Sequence, residues 1–159
     1  MTIRNNVTRL LDTNNISYTP HPLLGEKLSA LEASEYIGVP PEQVYKTIVA
    51  VRTERGKPIL GVVSAIAQVD LKILVKIVRE KKVKLSSLDQ AEKLTGLQSG
   101  GISPLALIHK GFDVVLDETA LIHKVIYISG GQRELNISLS PHDLVKVTLA
   151  KVGDISNFL

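Results

Sequence analysis

The stretch Lys46-Thr47-Ile48-Val49-Ala50-Val51 is apolar on both faces that a strand presents, so it belongs inside a sheet and not at its edge. A second apolar run, residues 58–65, follows the polar turn Thr53-Glu54-Arg55-Gly56-Lys57, and residues 46–52 and 58–65 read as two successive strands. Strands of this kind need cover on both sides. A chain of 159 residues is long enough to supply it without metals or disulfides. The cover must be aliphatic, because aromatic residues make up 4% of the chain and there is no Trp.

The remaining elements read in order along the chain. A helix is expected over residues 4–14 and a short strand over 16–21. Ser29 and Glu32 form a capping-box pattern that opens a helix ending before Gly38. Pro40-Pro41 breaks the chain, and residues 42–45 suit one helical turn. Asp70 caps an amphipathic helix in which Leu71, Leu74, Val75 and Val78 share a face. Residues 83–85 form a strand, and Ser87 with Gln90 opens a helix that stops at Gly96. Gly100-Gly101-Ile102-Ser103-Pro104 is a loop. Strands are expected at 113–116, 125–129 and 135–139, with Gly130-Gly131-Gln132-Arg133 as the turn before the last. Ser140-Pro141 then places an N-cap and an N1 proline ahead of a C-terminal helix with Asp143 in its first turn. Six or seven strands with four or five helices, and no regular βαβ alternation, predict one α/β domain over residues 1–159 with a mixed or largely antiparallel sheet.

Several chemistries are excluded or lack support. The chain has no cysteine, which removes disulfides, thiolate zinc sites and a cysteine nucleophile together. His21, His109, His123 and His142 lack ligand-like spacing, so neither a metal nor another cofactor is expected. There is no G-x-S-x-G elbow and no evident Ser-His-Asp set. Asp117-Glu118 reads as a turn or surface pair, not as paired catalytic acids. No apolar stretch approaches the roughly 18–20 residues of a membrane span, and the polar N-terminus has no signal core, so a cytoplasmic protein with no membrane partner is expected.

The formal net charge is +3, but it is unevenly spread. Lys72, Lys76, Arg79, Lys81, Lys82 and Lys84 lie together with one acid, Glu80. Lys72, Lys76 and Arg79 line one side of the expected helix. That stripe reads either as a solvated helix face or as a contact for a polyanion.

Lys46 shares a strand face with Ile48 and Ala50, so its ammonium should emerge from an aliphatic wall. It reads either as a strand-end lysine reaching water or as a fixed positive charge offered to a ligand. Two glycine pairs, Gly100-Gly101 and Gly130-Gly131, allow backbone amides to turn inward around an anion or a developing oxyanion, or they make ordinary tight turns. Neither matches a nucleotide fingerprint.

Taken in order, Val44-Tyr45-Lys46-Thr47-Ile48-Val49, Val69-Asp70-Leu71-Lys72, Thr95-Gly96, Gly100-Gly101-Ile102-Ser103-Pro104-Leu105 and Ile126-Tyr127-Ile128-Ser129-Gly130-Gly131-Gln132-Arg133 resemble the YbaK/EbsC family of aminoacyl-tRNA deacylases, related to the editing insertion domain of prolyl-tRNA synthetase. Within it the chain looks most similar to the branch acting on Cys-tRNA(Pro) and Cys-tRNA(Cys). The resemblance implies a mixed, barrel-like sheet with surrounding helices. It implies that Lys46 and Gly101 carry the chemistry and that Thr47, Gly100, Ile102, Ser129, Gly130 and Asn136 line the substrate pocket. The substrate's own thiol would attack its ester, which accounts for the missing nucleophile. The implied partner is the acceptor end of tRNA(Pro), with prolyl-tRNA synthetase as a further partner, and Lys72, Lys76 and Arg79 become candidate tRNA contacts. The chain departs from the family pattern at Glu134, Asn136 and Ala106, and in its shorter segment 21–27, where Leu23 or Leu24 stands nearest an expected tyrosine. These departures bear on the amino acid removed. Alanine or serine in place of cysteine, or a non-catalytic tRNA- or synthetase-binding module, are the alternatives.

Overall fold

The structure, a computed structural model, describes residues 3–158. Its centre is a five-stranded sheet ordered β5 (Val83–Leu85), β2 (Tyr45–Arg52), β3 (Ile59–Ser64), β6 (Asp113–Asp117) and β9 (Lys151–Gly153). β2 and β3 are antiparallel with Lys46 opposite Val63 and Ala50 opposite Ile59, whereas β3–β6 and β6–β9 are parallel. The two apolar runs therefore lie inside the sheet, and every residue of β3 is buried.

Strand periodicity divides the core in two. Val49, Leu60, Val62 and Leu116 face the larger cluster, while Ala50, Ile59, Val63 and Val115 face the smaller. The larger cluster is closed by an antiparallel sheet ordered β1 (Tyr18–Pro22), β8 (Leu135–Leu139) and β7 (Ile126–Gln132), together with α1 (Asn6–Thr13) and α5 (Pro141–Thr148). The smaller is covered by α3 (Leu71–Val78) and the pair β4 (Ala67–Val69) and β10 (Ser156–Phe158). A bridge between Val44 and Tyr127 links the lead-in of β2 to β7. The mixed α/β expectation holds. The barrel likeness holds loosely, since the sheets enclose the larger core without hydrogen-bonding into a closed cylinder.

Local signals set the helix ends. Ser29 and Glu32 cap α2 (Ala30–Ile37) reciprocally, and Gly38 ends it in the left-handed region. Ser87 accepts the Gln90 amide at the start of α4 (Leu88–Thr95), which Gly96 ends in the same left-handed region, and Asp70 accepts two amides at the start of α3. α3 buries Leu74 and Val78, with Leu71, Ile73, Val75 and Ile77 packed partly against the smaller cluster.

Three sequence expectations need correction. The described residues form ten strands where six or seven were expected; β4, β9 and β10 have three residues each, too few for alternation to register. Gly130-Gly131 is not the hairpin turn. Both lie within β7 as a bulge between Ser129, paired with Asn136, and Gln132, paired with Leu135; Arg133 and Glu134 make the turn. The bulge needs glycine, because a Cβ on Gly130 would stand 2.6 Å from Leu135 Cγ, and Gly131 has φ +94°. Finally, Asp117 is fully buried. Its Oδ1 accepts from the Ile155 amide at 2.9 Å and its Oδ2 from the Thr119 amide at 3.2 Å and the Thr119 hydroxyl, which makes it the cap of the 3-10 turn Glu118–Ile122.

Candidate active site

The first residues of β2 form one wall of a cleft of about 360 Å³. Tyr45 is anchored through its hydroxyl, 2.9 Å from Thr119 Oγ1, and Thr119 is held by buried Asp117. That chain of bonds fixes the start of β2, where Lys46 and Thr47 line the cleft. The Lys46 ammonium donates to the Ala65 carbonyl at 3.4 Å and has no carboxylate within 4.0 Å among the described residues. Burial lowers its pKa from the ordinary lysine value. The strand-end lysine is thus a partly desolvated cation facing an open space.

The opposite wall is the loop carrying Gly100-Gly101, and side chains from three directions hold it. Glu92 of α4 accepts from the Ser99 amide at 2.8 Å, Arg133 Nε donates to the Ser99 carbonyl at 2.7 Å, and Ser129 Oγ donates to the Gly100 carbonyl at 3.1 Å. Gly101 lies against β7 so closely that a Cβ would stand 3.0 Å from Gln132 Cα. The two glycine pairs are therefore neighbours. They do not, however, present four amides to a ligand. The Gly101 amide donates to the Gln98 carbonyl at 2.8 Å, and the Gly131 amide donates to Ser129 Oγ at 3.3 Å. Among the described residues the amides of Gly100 and Ile102 have no acceptor, and both residues line the cleft.

Of the residues singled out from sequence, Lys46, Thr47, Gly100, Ile102, Ser129 and Asn136 meet in this cleft. Gly101 and Gly130 sit behind it, where a side chain would strike β7 or Leu135. Asn136 is 4% exposed, opposite Ser129 across the β7–β8 ladder, and its Oδ1 has no partner. Lys72, Lys76 and Arg79 are exposed at α3 and at its end, over the smaller core, and none lines the cleft.

Sequence reasoning assigned no role to Ser99, Arg133, Lys27 or the first turn of α2, all of which border the cleft. Arg133 was visible in the Ser-Gly-Gly-x-Arg run and Ser99 beside a glycine pair. The capping box located the start of α2, but nothing local says which cavity a helix end faces. Leu23 lines the cleft, whereas Leu24 is exposed.

An open cleft that brings together an ammonium with no carboxylate beside it and unpartnered amides suits a ligand that carries, or develops, negative charge on oxygen. Residues 26–147 match the aminoacyl-tRNA editing domain family, and the chain belongs to that family. It is 29% identical over 155 residues, 96% of this chain and 93% of the relative, to a protein of Enterococcus faecalis (strain ATCC 700802 / V583) described as "Putative Cys-tRNA(Pro)/Cys-tRNA(Cys) deacylase EbsC". Two crystal structures share the fold. One, of "hypothetical protein APE2540", has a TM-score of 0.88 at 23% identity, covering 96% of this chain and all of that one. The other, of "a putative trans-editing enzyme for prolyl tRNA synthetase", has a TM-score of 0.77 at 22% identity, covering 98% and 99%.

Proposed function

We propose that this protein is a trans-editing deacylase that removes cysteine from mischarged tRNA(Pro), acting as one unit over residues 1–159. The observation that carries the reading is the Lys46 ammonium, unpaired by any carboxylate among the described residues, in the same cleft as the free amides of Gly100 and Ile102. The relative described as a Cys-tRNA deacylase supports the choice of substrate.

An aminoacyl ester is already activated, so the site need not supply a nucleophile. The thiol of the bound cysteine attacks its own carbonyl, forming a C–S bond. The C–O bond to the ribose breaks, the thiol proton passes to the departing ribose oxygen, and a cyclic thiolactone leaves. The protein's contribution is orientation and charge. Lys46 and the two amides stabilise the oxyanion of the tetrahedral intermediate. Thr47 borders the reacting ester, and Ser129 holds the Gly100 peptide in place. The Asn136 amide loses no hydrogen bond from its oxygen when it turns, so it can present that oxygen to the substrate's α-amine. The reaction is lyase-like while the thiol cyclises and becomes a net hydrolysis once water opens the thiolactone. The enzyme works in the cytoplasm, where aminoacyl-tRNAs circulate, with prolyl-tRNA synthetase as the protein partner that generates its substrate.

The test is a panel of tRNA(Pro) charged with cysteine, alanine or serine. Rapid loss of cysteine, abolished by Lys46→Ala, is expected. An unimpaired Lys46→Ala variant removes the ammonium from the mechanism. Loss of alanine or serine alone overturns the thiol route, and binding of every charged tRNA without turnover leaves a non-catalytic module.

A further inference from the structure

We propose that the Gly100 end of the cleft is a phosphate subsite, in which Arg133 and Lys27 hold the phosphodiester joining the aminoacylated nucleotide to the rest of the RNA. The inference rests on the deacylase reading and gives the phosphate to these two residues, leaving Lys46 free for the ester.

Arg133 stands in the β7–β8 turn and borders the cleft. Its Nε is fixed on the Ser99 carbonyl at 2.7 Å, which orients the guanidinium plane. Its two terminal nitrogens have no acceptor, and no carboxylate lies within 4.0 Å of it among the described residues. A guanidinium held at one nitrogen and open at the other two is suited to phosphate oxygens.

Lys27 is exposed, borders the same cleft and has no hydrogen bond or ion pair among the described residues. Gly100 lies beside Arg133 and the residue that follows Lys27. A Cβ there would meet Arg133 Cγ at 3.4 Å and the carbonyl of Leu28, next to Lys27, at 3.7 Å. Gly100 is exposed, has φ +90° and carries a free amide. The position thus combines two cations with the missing side chain that lets an anion approach, while the Gly100 amide stays with the ester.

The neighbouring acids are mostly engaged. Glu92 accepts the Ser99 amide, Glu32 the Ser29 amide and Glu134 the Gln132 side-chain amide, while Glu26 is exposed. Glu92 is held below the usual carboxylate range first by the Ser99 amide, and Arg133 and Lys27 both add to the lowering, as expected if both cations serve one end of the cleft. Lys46 lines the same cleft from β2.

The experiment measures equilibrium binding of a stable amide analogue of 3′-cysteinyl-adenosine with and without a 5′-phosphate. For the wild type, the phosphate is expected to tighten binding about tenfold. Lys27→Gln and Arg133→Gln should each remove a large part of that gain, and the double variant should bring the ratio close to one. Because Arg133 also latches the loop, Lys27→Gln, an exposed change with no structural bond to lose, keeps the test valid if Arg133→Gln misfolds. Arg133→Lys should fall between. A wild-type ratio of one, or a ratio retained in Lys27→Gln and in the double variant, overturns the subsite; a ratio lost only in Lys46→Ala moves the phosphate to Lys46. Turnover of Cys-tRNA(Pro), assayed separately, judges the deacylase reading, because the binding ratio needs no catalysis.

Discussion

Gly101→Ala separates two ways in which this glycine can matter. If Gly101 donated its amide to the substrate, a methyl group would be tolerated, since its φ lies outside the left-handed region and the N–H would survive. The structure gives it a different part. Its amide is committed to Gln98, and the new Cβ would stand 3.0, 3.2 and 3.3 Å from Gln132 Cα, C and N. Those atoms are backbone within a strand, so they cannot swing aside as a side-chain tip would. Either β7 or the loop must shift by a few tenths of an ångström, and overpacking of this kind costs about 1–3 kcal/mol.

For a chain of this size each kcal/mol lowers the melting temperature by about 2–4 °C. Urea unfolding of Gly101→Ala should show a lower midpoint with an unchanged slope. Deacylation should fall too, because the displaced loop carries the Gly100 and Ile102 amides away from Lys46. A variant with the wild-type midpoint and wild-type kcat/KM would refute the packing argument. One with the wild-type midpoint but little activity would set the new methyl group against the substrate and not against β7.

Replacing Lys46 with Met should lower kcat about 10²–10³-fold, the usual effect of losing one oxyanion donor, and should stabilise the protein near neutral pH by removing a desolvated charge. The sign follows from its lowered pKa. The folded state releases this proton before the unfolded state does, so in the wild type the stability cost of the charge is full below the folded pKa and is relieved as pH rises toward the unfolded value. Activity that needs the ammonium should fall over that same rise, at a lower pH than an ordinary lysine allows. Asp117→Ala strands the Ile155 and Thr119 amides, while the Thr119 hydroxyl keeps Tyr45, and at about 1–3 kcal/mol per buried unsatisfied donor it should be among the most destabilising single changes, measured by urea midpoint. Changing Lys72, Lys76 and Arg79 together to Gln should weaken tRNA binding and flatten its salt dependence, by about 0.7–0.9 logarithmic units for each phosphate no longer neutralised. Unchanged affinity at low salt would make the stripe a solvated helix face.

What the sequence discloses and what it conceals differ by distance along the chain. Ser29 with Glu32, Ser87, Asp70 and Ser140-Pro141 bond within a few residues of themselves, so their helix starts were legible without any fold. The apolar doubling of residues 46–51 was legible too, because a strand inside a sheet between two clusters must be apolar on both faces. Lys46 followed from that, as the polar residue at the mouth of such a strand. The turn at Asp117-Glu118 was legible, but the burial of Asp117 was not, because its partner there is the Ile155 amide, 38 positions away. Gly130-Gly131 was misread for a related reason. A turn and a bulge both favour glycine, and the choice here depends on Leu135 across the ladder and Val7 from α1.

The same distinction explains why the chemistry sits where it does. The groups left open, the Lys46 ammonium with only the Ala65 carbonyl beside it, the Gly100 and Ile102 amides and the Asn136 carbonyl, come from three separate segments and meet only after folding. Around them the backbone of Ser99 and the Gly100 carbonyl are committed to Glu92, Arg133 and Ser129, Tyr45 to Thr119, and Thr119 to Asp117. A frame held by these bonds keeps its open donors in place, so they stabilise charge without reorganising when it develops. Such a frame suits the proposed reaction, in which the substrate brings its own nucleophile. It also means that loss of a frame residue remote from substrate, Glu92 above all, should lower kcat with little change in KM, and that Glu92→Gln, which keeps an acceptor for the Ser99 amide, should restore much of what Glu92→Ala loses.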